Sequence, residues 1–193
     1  MSCPPYGPRA TRPRRQRGQS LIEFALSAVV LLLLVGGLAD IGRAEFTSEA
    51  LSNAAREGAR HGAWFDAPTQ SHPYLDDAQI KAAVDANLAA ISLPASVLEN
   101  PSNTCPAPTD GNSFHNPPYA SANYPPSANQ TWLYICYNNT SGLDFASPAT
   151  GQGQLDLNVI VLYTYGPFTP LISNQFGLFR LAANEHMTVQ GSG

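Results

Sequence analysis

One uninterrupted apolar run dominates the hydrophobic pattern of this chain. Residues 21–39 are all apolar or small apart from Ser27 and a single acid, Glu23. A helix of nineteen residues is about 28 Å long, which is close to the thickness of the hydrocarbon core of a bilayer. The pattern therefore predicts one transmembrane helix, which we place at residues 19–40.

A basic leader, residues 1–18, precedes the apolar run. It contains no acidic residue and five arginines: Arg9, Arg12, Arg14, Arg15 and Arg17. The positive-inside rule places this leader in the cytoplasm and everything after the helix outside the cytoplasmic (inner) membrane. The alternative is a secretory signal peptide, because residues 37–39 offer the small residues that signal peptidase prefers. The length of the apolar run and the acid within it favour a transmembrane helix.

The helical pattern continues beyond the membrane over residues 41–64. Small or apolar residues recur there at alternating spacings of three and four: Ile41, Ala44, Ser48, Leu51, Ala55, Gly58 and Gly62. This spacing places them on one narrow face of a helix. We therefore expect a second helix or a sheet to pack closely against that face.

The pattern of residues 65–193 predicts an α+β domain. Asp76 or Asp77 can cap a second helix that ends before Pro94, with apolar positions Ile80, Val84, Leu88 and Ile91. Residues 131–137 predict a strand that is apolar on both faces, whereas residues 155–165 and 179–189 alternate, with one apolar face each. Turn residues near 166–167 and 173–174 separate the last two strands. Together these elements predict a small antiparallel sheet that the helices cover.

Between residues 99 and 130 the composition shifts to Pro, Asn, Ser, Thr, Ala and Tyr. Because few aliphatic residues are available to offset the entropy of ordering, we expect a long surface loop without a core of its own. Cys105 and Cys136 bracket this loop, and an oxidising compartment would permit a disulfide between them. The alternative is two separate thiols, with Cys136 buried in its strand.

Charge and motif content exclude several classes of function. The chain has a net charge of -4, but without the leader five basic and fourteen acidic side chains give 5 - 14 = -9. Such a surface offers no basic patch for nucleic acid. The four histidines show no metal-ligand spacing, and there is neither a phosphate-binding loop nor a nucleophile elbow. We therefore expect no enzymatic activity, no metal, no cofactor and no small-molecule substrate.

The start of the chain resembles type IV pilin-like proteins. In that class a prepilin peptidase cuts after a glycine that follows a basic leader, and a glutamate stands five residues after that glycine. The corresponding residues here are Gly18, Gln19 at the new N-terminus, and Glu23, followed by Phe24. The resemblance implies cleavage between Gly18 and Gln19, and it gives Glu23 and Phe24 a role in the association of subunits.

A second motif sharpens this resemblance. Residues 38–43 (LADIGR) and 51–60 (LSNAAREGAR) are similar to the hallmark of the TadE-like family, the pseudopilins of tight-adherence (Tad) pilus systems. The motif residues are Asp40, Gly42, Arg43, Asn53, Ala54, Ala55, Arg56, Glu57, Gly58, Ala59 and Arg60. The end of the chain looks similar as well, with strands at 156–165 and 178–189 and a turn at 167–171.

The resemblance implies a minor pilin or pseudopilin with a pilin-like α+β fold and one membrane span. Its implied partners are membrane lipid, prepilin peptidase, Tad assembly proteins and other pilin or pseudopilin subunits, whose free N-terminal amines would meet Glu23. Two alternatives stay open: a membrane-anchored adhesive or binding module, and a secreted protein. The mature N-terminus separates the three, because it would be Gln19 in a pilin, Asp40 in a secreted protein and the uncut leader in an anchored module.

Overall fold

The computed structural model describes residues 18–65, 73–99, 105–111, 116–137 and 155–189. Predictions that concern the leader before Gly18 lie outside the described residues. The chain divides into two compact units, and the boundary falls between Ala39 and Asp40. The first helix, α1 (Gln19–Ala63), contributes to both units, and each unit is described by itself.

The first unit consists, in its described part, of residues 18–39 at the beginning of α1. The large apolar side chains of this stretch are exposed in the single chain, Phe24 among them. Within the described residues, α1 is the one helix that is long and apolar enough to cross a membrane. A helix that is apolar all round requires an apolar surrounding, because water would penalise every face of it.

The second unit is an α+β domain built on a four-stranded sheet. Besides the rest of α1, its elements are α2 (Asp77–Ala90), β1 (Val97–Leu98), a short 3-10 turn (Ser121–Asn123), β2 (Gln130–Tyr137), β3 (Leu155–Tyr165), α3 (Pro170–Phe176) and β4 (Phe179–Val189). The strands lie in the order β1-β2-β3-β4. The predicted antiparallel meander is present in β2, β3 and β4, and β1 adds two residues parallel to β2, so that the sheet is mixed. The α+β prediction is confirmed.

The main core lies between the helices and one face of the sheet. Leu51 on α1, Val84 on α2, and Leu133 and Val159 on the central strands are all fully buried. The predicted helix spacing thus identifies the buried residues of α2, and Asp76 caps this helix by accepting a hydrogen bond from Gln79 N at 3.1 Å. Because β2 and β3 are covered on both faces, nearly all of their residues are buried.

A second, smaller core lies on the opposite face of the sheet. Tyr119 and Tyr124, from the segment predicted to lack a core, are buried against Tyr134, Ile160 and Leu162. The prediction of a surface loop without a core is therefore wrong at these two tyrosines. Aromatic rings bury a large apolar area per residue, so two of them compensate for the shortage of aliphatic side chains.

The connection between β3 and β4 also differs from the prediction. Where turn residues suggest an irregular turn, the chain forms the short helix α3, with Pro170 at its beginning and Gly177 at its end. Proline fits the first turn of a helix because its missing N–H would have no partner there. Gly177 has a φ of 71°, a conformation that favours glycine.

Candidate functional site

The predicted cleavage site lies at the beginning of α1. Gly18 forms a turn, and its carbonyl oxygen accepts a hydrogen bond from Ile22 N at 3.3 Å. Gln19 is the first residue of the helix, and both residues are exposed. The peptide bond between them therefore lies at an accessible helix end. Whether it is cut stays a prediction.

Glu23 lies one helical turn after Gln19. The Gln19 Nε2 donates a hydrogen bond to Glu23 Oε1 at 3.2 Å, as residues four apart on one helix face can. Glu23 is exposed, like its neighbour Phe24. A cationic group from outside the chain can therefore reach the carboxylate without displacing any packed side chain.

The small residues of the second motif are packing residues. Ala55 and Gly58 are buried on the face of α1 that the spacing predicts, and Ala54 and Ala59, which were not assigned to that face, are buried as well. A Cβ at Gly58 would lie 2.5 Å from Val84 Cγ2. One turn further, a Cβ at Gly62 would clash with Leu157 and lie 2.9 Å from Ile80 Cδ1. Glycine is needed at both positions because α2 and β3 approach the backbone of α1 directly.

The charged residues of the same motif lie on the outside. Arg56 Nε donates to Glu185 Oε1 of β4 at 2.8 Å, and Arg60 Nε donates to Glu57 Oε2 at 2.8 Å. The hydrogen bond from Arg60, reinforced by its charge, lowers the pKa of Glu57. The Arg60 guanidinium also lies 5.7 Å from the centre of the Trp64 ring. Exposed pairs of this kind contribute little to stability, typically about 0–1 kcal/mol.

Three further motif residues, Gly42, Arg43 and Asn53, are exposed as well. Gly42 and Arg43 lie on the open surface of α1, and a Cβ at Gly42 would meet no atom within 4 Å. Asn53 lines a shallow groove of about 190 Å³ between α1 and α2, together with Phe46 and Asn87. These positions leave the motif with an inner set of small residues and an outer set of polar ones.

Asp40 belongs to neither set, and sequence reasoning missed its role. It is buried, whereas Ile41, predicted to lie on the packed face, is 61% exposed. The two carboxylate oxygens of Asp40 accept hydrogen bonds from Phe168 N at 2.8 Å and Thr169 N at 2.9 Å. In addition, Tyr165 Oη donates to the Asp40 carbonyl at 3.3 Å. No local signal in the sequence indicates this contact, since other acids inside the same helix, such as Glu45, are exposed.

The predicted disulfide between Cys105 and Cys136 is present. Their Cα atoms are 5.8 Å apart, and the bridge joins the segment before Tyr119 to the second residue from the end of β2. Among the residues that the structure describes, no three His, Cys, Asp or Glu side chains come together in a group that could hold a metal ion.

Residues 18–60 match the model of the TadE-like protein family. The match begins at Gly18 and ends at Arg60, so it includes both the pilin-like start and the second motif. It covers less than a quarter of the chain and stops before α2 and the sheet. Comparisons with curated proteins and with solved structures found no match.

The match confirms the resemblance to the TadE-like family on the residues that suggested it. The fold agrees with this class, because a long apolar N-terminal helix, a second helix and a small sheet form a pilin-like arrangement.

Proposed function

We propose that this chain is a TadE-like minor pilin or pseudopilin, a single-pass membrane protein that takes part in assembling a Tad pilus or secretion apparatus. The observation that supports it most is the family match over residues 18–60. That segment holds both features on which this proposal depends, a candidate cleavage site before an apolar helix and an acid within that helix. The role is structural and requires no cofactor.

In this proposal assembly proceeds through the exposed part of α1. Prepilin peptidase cuts between Gly18 and Gln19 and creates a free amine at Gln19. The amine of one subunit then meets Glu23 of a neighbour, because a carboxylate in an apolar surrounding is stabilised by a cationic partner. Other pilin or pseudopilin subunits and the Tad assembly proteins are the partners, and the leader lies on the cytoplasmic side of the inner membrane.

The division within the second motif supports this proposal. Ala54, Ala55, Gly58 and Ala59 are buried and hold the domain on α1, whereas Arg56 and Arg60 remain exposed at little cost to folding. Exposed charges on a helix that continues from the membrane segment can contact assembly partners without disturbing the domain.

The mature N-terminus tests the proposal. Intact-mass and N-terminal peptide analysis of protein from cells with an active prepilin peptidase should find Gln19 as the first residue. Replacing Gly18 with a bulky residue should leave the longer precursor, while the same substitution at Gly42 should leave cleavage unchanged. A wild-type protein that keeps its leader would favour the anchored binding module, and a start at Asp40 would favour the secreted protein.

A further inference from the structure

The connection between β3 and β4, residues 166–178, is hydrogen-bonded to Asp40. Asp40 is the first residue after the apolar run of 21–39. Its buried carboxylate holds Phe168 N at 2.8 Å and Thr169 N at 2.9 Å. A hydrogen bond to each oxygen fixes the connection next to Asp40. Because Asp40 follows Ala39 in the chain, the residue that binds this connection is the first one after the apolar run.

The same connection is uncharged and exposes large apolar side chains. Residues 166–179 contain no Asp, Glu, Lys or Arg, in a chain that carries -9 without its leader. Phe168 is 81% exposed and Phe176 is 73% exposed, and Leu178 is exposed as well. Single exposed apolar residues are ordinary, but three of them lie in this one uncharged stretch, and water disfavours the exposure of each.

We propose that this connection rests in the headgroup region of the bilayer, at the membrane–water interface beside Asp40. In segments that lie at the membrane surface, Phe and Leu side chains are buried at the boundary between headgroups and acyl chains, where they leave water. Any anionic headgroup would repel the acidic remainder of the domain, so the uncharged connection is the part best suited to touch the bilayer. Lipid is favoured over a protein partner because the hydrogen bonds to Asp40 hold this connection next to the residue that follows the apolar run.

This contact would set the height of the domain above the bilayer. The far end of α1 provides the contrast, because Ala63 lies about 35 Å along the helix axis from Asp40 at 1.5 Å per residue. Trp64 follows directly and is also an exposed aromatic residue, at 58%. If exposed aromatic side chains bound lipid wherever they occur, Trp64 would contact the bilayer as well. The proposal predicts contact only for the connection near Asp40.

The test uses the full chain in phosphatidylcholine and phosphatidylglycerol vesicles that contain lipid brominated near the headgroup end of the acyl chains. Phe168→Trp and Phe176→Trp each add one tryptophan to the native Trp64 and Trp132. The added emission should lose more than half of its intensity in brominated vesicles and resist aqueous iodide. The native emission of the unsubstituted protein should change little, which makes it the matched control. Neither substitution alters the backbone N–H groups that Asp40 binds.

The inference rests on membrane anchoring but not on pilus assembly, and a third variant separates the two. Val30→Trp, at the middle of the apolar run, should be quenched by lipid brominated near the methyl end of the acyl chains if α1 spans the bilayer. If it is quenched while position 168 or 176 is quenched only by iodide, the connection stands in water and the inference fails. Protection of 168 and 176 from both quenchers would assign these side chains to a contact between copies of this chain and would also overturn the inference. No quenching at Val30→Trp would overturn anchoring itself, and the inference with it.

Discussion

Gly58 on α1 lies so close to Val84 on α2 that a Cβ at position 58 would be 2.5 Å from Val84 Cγ2. Val84 is fully buried and β-branched, so its side chain has few other rotamers to adopt. The glycine therefore sets the distance between the two helices. This relationship explains in physical terms why small residues recur along this face of α1.

Gly58→Ala should destabilise the domain, although alanine is the better helix former. The gain in helix propensity is about 1 kcal/mol, whereas overpacking a filled core costs about 1–3 kcal/mol. We expect a net loss of roughly 1 kcal/mol in the free energy of unfolding, measured by urea titration of the full protein in detergent micelles with tryptophan fluorescence as the signal.

Gly42→Ala is the matched control on the same helix. A methyl group added at position 42 would meet no atom within 4 Å, so only the difference in helix propensity applies. This variant should gain roughly 0.5–1 kcal/mol. Equal stability changes in the two alanine variants would show that α2 can shift away from α1 and that Gly58 does not set their spacing.

Local signals of the sequence predict much of this fold. Ile80, Val84 and Leu88 are spaced for a helix, and Asp76 lies three residues before the amide that it caps. Both signals lie within one short segment, so no knowledge of the rest of the chain is needed. The alternation along β3 and β4 is equally local and identifies the face of each strand that joins the main core. It does not indicate that the other face of β3, with Ile160 and Leu162, is buried as well.

Contacts between distant parts of the chain are what the sequence could not predict. Asp40 and Phe168 are 128 residues apart, and nothing near either residue indicates the other. Tyr119 is buried only because the segment is folded back over the sheet, to which Cys105 attaches it. Asp40 is one of the residues of the family motif, but the motif does not indicate which residues Asp40 binds. The α3 helix was missed because Pro170 is as typical of a turn as of a first helical turn.

Asp85 should make the stability of the domain depend on pH. It accepts hydrogen bonds at Oδ1 from Ser96 N and Ser96 Oγ, both at 2.7 Å, and it pairs with Lys81. Burial opposes ionisation, but the bonds from Lys81 and Ser96 outweigh it and hold the pKa of Asp85 below its usual range. Because the folded pKa lies below the unfolded value of about 3.9, the stabilisation is full above that pH and is lost as the pH falls through the folded pKa.

Asp85→Asn should therefore cost about 1 kcal/mol near pH 7, since charged hydrogen bonds are stronger than neutral ones by about that amount. The difference from wild type should shrink as the pH falls below about 4. Urea titrations at a series of pH values measure both effects, and a difference that stays constant would contradict the assignment.

Asp77→Asn is a control for which the stability relative to wild type should change with pH in the opposite direction. Burial raises the pKa of Asp77, and the negative charge of Asp76 adds to this, although Tyr137 donates a hydrogen bond to the carboxylate. A raised folded pKa means that folding favours the protonated form, so the contribution of Asp77 is lost as the pH rises through the folded pKa. The stability of Asp77→Asn relative to wild type should consequently improve as the pH rises above about 4.

Removing the disulfide should weaken the second core more than the first. The bridge closes a loop with a sequence separation of 31, for which the loop-entropy account gives roughly 3–4 kcal/mol. The double variant Cys105→Ala/Cys136→Ala should lose about that free energy of unfolding, and protease should cut the segment around Tyr119 before the helices.

Peptide mapping without reductant should recover the two cysteines joined, and Cys3→Ala should leave this pair unchanged. Alkylation of both thiols in protein from an oxidising envelope would contradict the bridge.

Glu23→Ala should leave the protein folded and inserted but defective in assembly. Removing the acid makes the apolar run more apolar, so insertion should be as good or better. The substitution also leaves the domain intact, because Glu23 bonds only to Gln19 among the contacts that the structure gives it. What the variant lacks is a partner for the amine of a neighbouring subunit. A charged hydrogen bond is worth about 1.5–3 kcal/mol, so association between subunits should fall by about tenfold or more.

The measurement for Glu23→Ala is crosslinking between subunits, together with counts of assembled pili. Glu45→Ala is the matched control, since it removes an exposed acid from the same helix beyond the apolar run. Protein level and leader cleavage should stay near wild type in both variants, and only Glu23→Ala should lose crosslinks. Glu23→Gln should be nearly as defective, because an amide keeps the shape but cannot pair with an amine as an ion. If all three variants crosslink like wild type, Glu23 is a tolerated residue at the membrane edge, and the anchored binding module becomes the better account of this chain.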